Sequence, residues 1–315
     1  MNVNDNSMRP DVRALLDMMA AMQQPKLYEL PLEEARSPAL VALVNAPSRE
    51  LPVIRDLSCT GPAGDISLRY YDAQESRTAG PAILFLHGGG FVIGNLDTYH
   101  SLCTEIAART GLPVVSVEYR LAPEHPFPAA PDDCEAAARW LAASPAGLGF
   151  EVTGLIPMGD SAGGNLAIVT TLALVDRPAQ VPVVMQVPIY PIASAIENHA
   201  SLRQFGAGHF LESDIMAWFT RSYAPDPASP RNYPLLREDH SQTPPTVLLT
   251  AGLDPLRDSG REYGAALVEA GAELAFFEAR GMIHGFLQMR KALPSTSRDM
   301  DALFAAMAAM LERNR

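Results

Sequence analysis

Apolar positions along the chain alternate between a helical spacing and short continuous runs. In residues 11–22, Val12, Leu15, Leu16, Met19 and Met22 recur at helical spacing while Arg13 and Asp17 fall off that face, so an amphipathic helix is expected there. Strand-like runs follow near 53–58 and 66–71, turned by Gly61-Pro62-Ala63-Gly64, which predicts an antiparallel opening. A short buried strand is then expected at 82–86, a helix near 98–110, a strand at 113–119, a helix at 132–143, a strand near 153–158 running into a helix-like Asn165–Val175, and a strand at 182–189. From about 193 to 228 the alternation stops, although Ala217-Trp218-Phe219-Thr220 lies in a helix-like stretch. It resumes with the apolar run Val247–Gly252 and the strand-like run Glu273–Glu278, and ends with a helix near 297–313. Strands and helices in turn predict an α/β fold, with a mostly parallel, buried sheet and helices on both faces.

Chemistry enters at the turn between the strand near 153–158 and its helix. There Gly159-Asp160-Ser161-Ala162-Gly163-Gly164 places a serine two residues from a glycine on either side, as a sharp strand-to-helix elbow requires. Such a turn lifts the hydroxyl clear of the sheet and sets the next N–H at a positive helix end. Upstream, the strand at 82–86 runs into His87-Gly88-Gly89-Gly90, whose backbone amides no side chain covers. The amides of Gly88, Gly89 and Ala162 are therefore the expected donors to an acyl oxyanion. Asp254, just past the strand 247–252, and His284, in the Gly-flanked loop Gly281–Phe286, complete the order Ser161, Asp254, His284. Asp258 remains an alternative acid at this point, although a helix cap near Ser259 is the use expected of it. His87 is expected to brace the glycine loop, and Asp160 to accept N–H groups at the helix start.

Five blocks carry a resemblance: His87–Phe91, Gly159–Gly164, Tyr119–Ala130, Asp254–Asp258 and His284-Gly285-Phe286. On these the chain resembles the α/β-hydrolases, and more narrowly the hormone-sensitive-lipase-like esterases of bacterial family IV, across about residues 80–290. The resemblance implies Ser161 as nucleophile, Asp254 and His284 as its partners, and Gly88, Gly89 and Ala162 as oxyanion donors. It implies a cofactor-free carboxylesterase for short or medium acyl chains, and homodimerisation through an edge strand and helix. It also implies a cap, with residues 1–50 and 193–228 folding over a core made of 51–192 and 229–315. Met19, Met22, Phe91, Phe210, Trp218 and Phe219 are then the candidate pocket residues, unless they fill a small core of the cap itself. The same triad serves amidases, lactonases and acyltransferases, and the scaffold also serves non-catalytic binding proteins.

Composition narrows the partners. The net charge of −12 disfavours a phosphate backbone, so a small ester and no nucleic acid is the expected partner. No apolar run approaches the length of a membrane span, the first twenty residues lack the features of a secretory signal, and no stretch has metal-ligand spacing. The three cysteines, Cys59, Cys103 and Cys134, form no Cys-x-x-Cys pair, which points to reduced thiols and a cytoplasmic protein.

Overall fold

A computed structural model describes residues 7–22 and 24–314. Its frame is an eight-stranded sheet in the order β1-β2-β4-β3-β5-β6-β7-β8. The strands are β1 (Val53–Gly61), β2 (Gly64–Asp72), β3 (Ala79–Leu86), β4 (Val114–Val117), β5 (Glu151–Asp160), β6 (Val187–Ile189), β7 (Thr246–Leu253) and β8 (Leu274–Ile283). The expected antiparallel opening is present as the β1–β2 hairpin, and β2 also runs antiparallel to β4. From β4 to β8 every pairing is parallel. All these strand ends carrying chemistry therefore point the same way.

The parallel strands are buried on both faces, and alternate side chains divide between two cores. On β3, Ile83 and Phe85 join the core that also holds residues of α3 (His100–Thr110) and α9 (Thr296–Arg313), whereas Ala82, Leu84 and Leu86 join the one formed with α4 (Ala129–Ala142) and α5 (Ala162–Asp176). Helix α8 (Arg257–Glu269) packs against β7 and β8. The strand expected over 182–189 is shorter, and Pro182 at its start has no N–H to give the ladder. Only Val187–Ile189 is continuous, with single bridges at Val183 and Gln186.

The interruption at 193–228 holds α6 (Ala200–Phe205) and α7 (Ser213–Tyr223). The N-terminal segment contributes α1 (Pro10–Met22) and the short α2 (Leu32–Ala35). Helix α1 buries Val12 and Leu15 in the core beside β8, but Met19 and Met22 stand 40% and 43% exposed. The chain before α1 is strapped to β8: Arg9 donates through Nε to the Arg280 carbonyl at 2.8 Å and forms a two-pronged ion pair with Asp299 at 2.6 and 2.9 Å. Further on, Lys26 pairs with Glu212 beside α7, joining the N-terminal segment to the insertion. No helix among the described residues is long and apolar enough to cross a membrane.

Candidate active site

β5 ends at Asp160 and α5 begins at Ala162, leaving Ser161 alone at the elbow with φ 57° and ψ −118°. That is a costly conformation for a residue with a Cβ, on the order of 1–3 kcal/mol, and the surroundings hold it in place. The Ser161 N–H donates to the Ile189 carbonyl at 2.8 Å. The flanking glycines are required by close backbone approach: a Cβ on Gly163 would lie 1.9 Å from the Leu86 oxygen, and one on Gly159 would lie 2.3 Å from the Gly163 oxygen. The elbow is thus wedged between β3 and its own helix.

Asp254 directly follows β7 and His284 directly follows β8, so both reach the same end of the sheet as Ser161. Ser161 Oγ and His284 Nε2 are 2.7 Å apart. On the other side of the ring, His284 Nδ1 and Asp254 Oδ2 are 2.6 Å apart. Asp254 is fully buried, and its second oxygen accepts the Leu256 N–H at 2.8 Å, which fixes the carboxylate's orientation. Ser161 and His284 remain 8% and 5% exposed, enough to be reached from the open end of the sheet. The alternative acid is engaged elsewhere. Asp258 pairs with Arg257 and accepts the Ser201 N–H, tying α6 to α8; it does not cap the helix, which begins at Arg257.

The glycine loop corrects one expectation. The Gly88 N–H is already used, donating to Asp160 Oδ1 and to the Tyr99 hydroxyl, each at 3.0 Å. It is therefore not free to bind an oxyanion. Among the described residues no protein group accepts from the N–H of Gly89, Gly90 or Ala162. Gly89 and Gly90 have φ of 111° and 60°, which turns their peptide planes away from the path of the strand. Ala162 opens α5, where a helix leaves its first amides without internal partners. The open N–H groups of this loop are thus those of Gly89 and Gly90 rather than of Gly88. His87 braces the loop as expected, with Nδ1 2.8 Å from the Gly88 carbonyl and its ring stacked on Tyr119. Full burial drives its pKa down to about 4, so it stays neutral.

Contrary to expectation, no bond from the N–H groups that open α5 reaches Asp160 among the described residues. Its carboxylate takes the Gly88 N–H, the Tyr99 hydroxyl at 3.1 Å and the Tyr190 hydroxyl at 3.3 Å. Burial raises its pKa to about 6 against the lowering effect of the His284 charge and of those three donors. Tyr190 in turn lays its ring against His284, with centroids 4.7 Å apart. Neither tyrosine stood out in the sequence, where nothing in their spacing connects them to residue 160.

The six candidate pocket residues separate. Phe219 lies on the glycine loop, so close that a Cβ on Gly90 would be 2.2 Å from its Cγ. Phe210 sits over the residue after the histidine, 3.2 Å from where a Gly285 Cβ would be. Trp218 packs beside Phe219 at 5.0 Å between centroids. Phe91 instead faces inward, buried and stacked on Tyr223 at 3.9 Å, where it anchors α7 to the loop. Met19 and Met22 extend from the part of α1 beyond its buried turn, and among the described residues neither packs into a core cluster. No described group of three or more His, Cys, Asp or Glu has the geometry to hold a metal.

A strained serine on a strand-to-helix elbow, relayed through histidine to a buried aspartate, defines the class of the α/β-hydrolases. Known proteins agree. A family model for the alpha/beta hydrolase fold matches residues 83–288. An ethyl acetate hydrolase of Pseudomonas putida is 36% identical over 295 residues, covering 90% of this chain and 93% of that protein. An arylesterase of Saccharolobus solfataricus is 29% identical over 303 residues, covering 95% and 97%. Among solved structures, an ester hydrolase from the metagenome of Lake Arreo, complexed with a bipyridine phosphonate derivative, superposes with a TM-score of 0.90 at 36% identity, covering 97% of this chain and 99% of that one. The chain belongs to the α/β-hydrolase family, in its hormone-sensitive-lipase-like esterase branch.

Proposed function

We propose that this chain hydrolyses short- to medium-chain carboxylic esters through a covalent acyl-enzyme formed on Ser161. The observation that carries the reading is the unbroken relay from Ser161 Oγ to His284 Nε2 and from His284 Nδ1 to Asp254. The hydroxyl attacks the ester carbonyl and gives its proton to His284, while Asp254 stabilises the imidazolium. The negative oxygen of the tetrahedral intermediate accepts from Gly89, Gly90 and Ala162, and each such donor is worth about 10²–10³ in kcat. The imidazolium then protonates the leaving alcohol. Water, deprotonated by the same imidazole, attacks the acyl carbonyl and restores the serine.

Phe219 against Gly90 of the glycine loop and Phe210 against Gly285, next to His284, crowd the site, and this supports a preference for small acyl groups. In this reading residues 1–50 and 193–228 act as the cap that carries them. Cys59, Cys103 and Cys134 are all free and buried, which suits a reducing cytoplasm. The outer edge of β8, with Phe276 exposed on it and Val268 exposed on the adjoining α8, suits pairing with a second copy. The test of function is a panel of nitrophenyl esters of increasing acyl length, assayed with the parent protein and with Ser161→Ala. Turnover that falls as the chain lengthens and disappears in the variant is expected. A folded Ser161→Ala protein with most of its turnover intact removes the assignment.

A further inference from the structure

Asp160 is a fully buried carboxylate with no Arg or Lys side chain in salt-bridge contact among the described residues. Folded proteins avoid that arrangement unless hydrogen bonds or a function compensate. Here the bonds lead to three parts of one site. Asp160 immediately precedes Ser161 on the elbow. One oxygen holds the Gly88 N–H at 3.0 Å, which sets the peptide from which Gly89 and Gly90 turn. The other receives Tyr99 and Tyr190, and the Tyr190 ring forms the wall against which His284 rests.

We propose that Asp160 is a positioning residue of this hydrolase: it fixes the glycine loop through Gly88, steadies His284 through Tyr190, and supplies a second negative charge that favours the imidazolium. The proposal rests on the Ser161–His284–Asp254 reading above. The titratable groups that face the carboxylate are Tyr99 just before α3, Tyr190 after β6, His284 after β8, and more distantly Cys103 and Tyr119. Arg290 lies beyond Tyr190 and Cys103, donating to the Leu287 carbonyl and the Ser101 hydroxyl rather than to Asp160. The tyrosines stay protonated well above neutral pH because burial disfavours their anions. The carboxylate of Asp160, held at a pKa of about 6, is thus the acid of this cluster that carries negative charge above that pH.

Two variants separate geometry from charge. Asp160→Asn keeps an oxygen for the Gly88 N–H and removes the charge, with its amide hydrogens facing tyrosine hydroxyls that can turn to accept them. Asp160→Ala removes both. With a nitrophenyl acetate substrate, Asp160→Ala should lower kcat on the order of 10²-fold, the cost of a misplaced oxyanion site, with KM changed far less. Asp160→Asn should recover most of that loss, while the acid limb of its kcat/KM profile moves to lower pH, since an imidazolium with one fewer anion beside it forms less readily. Parent-like kcat in Asp160→Ala overturns the positioning role, and an unmoved acid limb in Asp160→Asn overturns the electrostatic one. If Asp160→Ala does not fold, Asp160→Leu, of similar volume and without an acceptor, takes its place: parent-like kcat there overturns the positioning role, while the acid limb of Asp160→Asn decides the electrostatic one. Turnover surviving in Ser161→Ala would instead indict the underlying site, independently of both variants.

Discussion

Replacing Asp160 by Asn should make the protein more stable at pH 8 while moving the acid limb of its catalytic profile to lower pH, and the size of the gain follows from the burial of the carboxylate. Desolvation raises the Asp160 pKa from 3.8 to about 6 despite its hydrogen bonds and the nearby His284. A folded-state pKa above the unfolded one means that protons bind the native form more tightly. The associated stability is fully present below pH 3.8 and is lost as pH rises through about 6. A shift of roughly two units, at about 1.36 kcal/mol each, amounts to roughly 3 kcal/mol by pH 8. Asn has no charge to desolvate and carries no such cost. The stability difference between Asp160→Asn and the parent should therefore grow by about 2 kcal/mol between pH 4.5 and pH 8, then level off. Urea unfolding followed by the fluorescence of Trp140 and Trp218 measures it at each pH. Parallel stability-against-pH curves for the two proteins would refute the reasoning, because they would mean that the carboxylate is as well solvated in the fold as in the unfolded chain.

Two further outcomes test the parts that hold the site in place. Arg9→Ala leaves the Asp299 carboxylate without its two-pronged partner in a nearly buried setting, and breaking such a pair costs about 3–5 kcal/mol, so the urea midpoint should fall well below the parent's. An unchanged midpoint would show that the strap across β8 contributes nothing. Phe219→Ala opens the flank of the site over Gly90, so the acyl length at which the rate collapses on the nitrophenyl ester panel should move to longer chains, whereas an identical length profile would take Phe219 out of the pocket.

How much of this was legible in the sequence depends on how local each signal is. Ser161 could be read because the elbow's sterics are written into its neighbours: Gly159 and Gly163 sit where a Cβ would strike the Gly163 and Leu86 oxygens. Asp254 could be read because it stands just past an apolar run long enough to identify as a strand, and His284 because its Gly-flanked loop comes after the run 273–278; the structure extends β8 to Ile283, so both stand at strand ends that parallel strands deliver to one side. The extent of the strand at 182–189 was overstated because an apolar run does not register that its first residue, Pro182, has no N–H to give. The face of α1 was legible at Val12 and Leu15, where the helix meets the core, and not at Met19 and Met22, where the same spacing continues past anything to pack on.

The substitution of Gly90 for Gly88 among the open amides has a different cause. Three consecutive glycines are locally equivalent, and a choice among them must come from elsewhere in the chain. It comes from Asp160 and Tyr99, which bind the first N–H and leave the next two to turn outward at φ of 111° and 60°. The residue that selects the donors is therefore the neighbour of the nucleophile, and the same carboxylate reaches the histidine's wall through Tyr190. In the proposed mechanism Ser161 fixes where the acyl carbon must sit, while Asp160 fixes which amides face its oxygen. Because one turn of backbone carries both, a shift of the elbow would move the nucleophile and its oxyanion site together, which preserves their mutual geometry better than two independent anchors would.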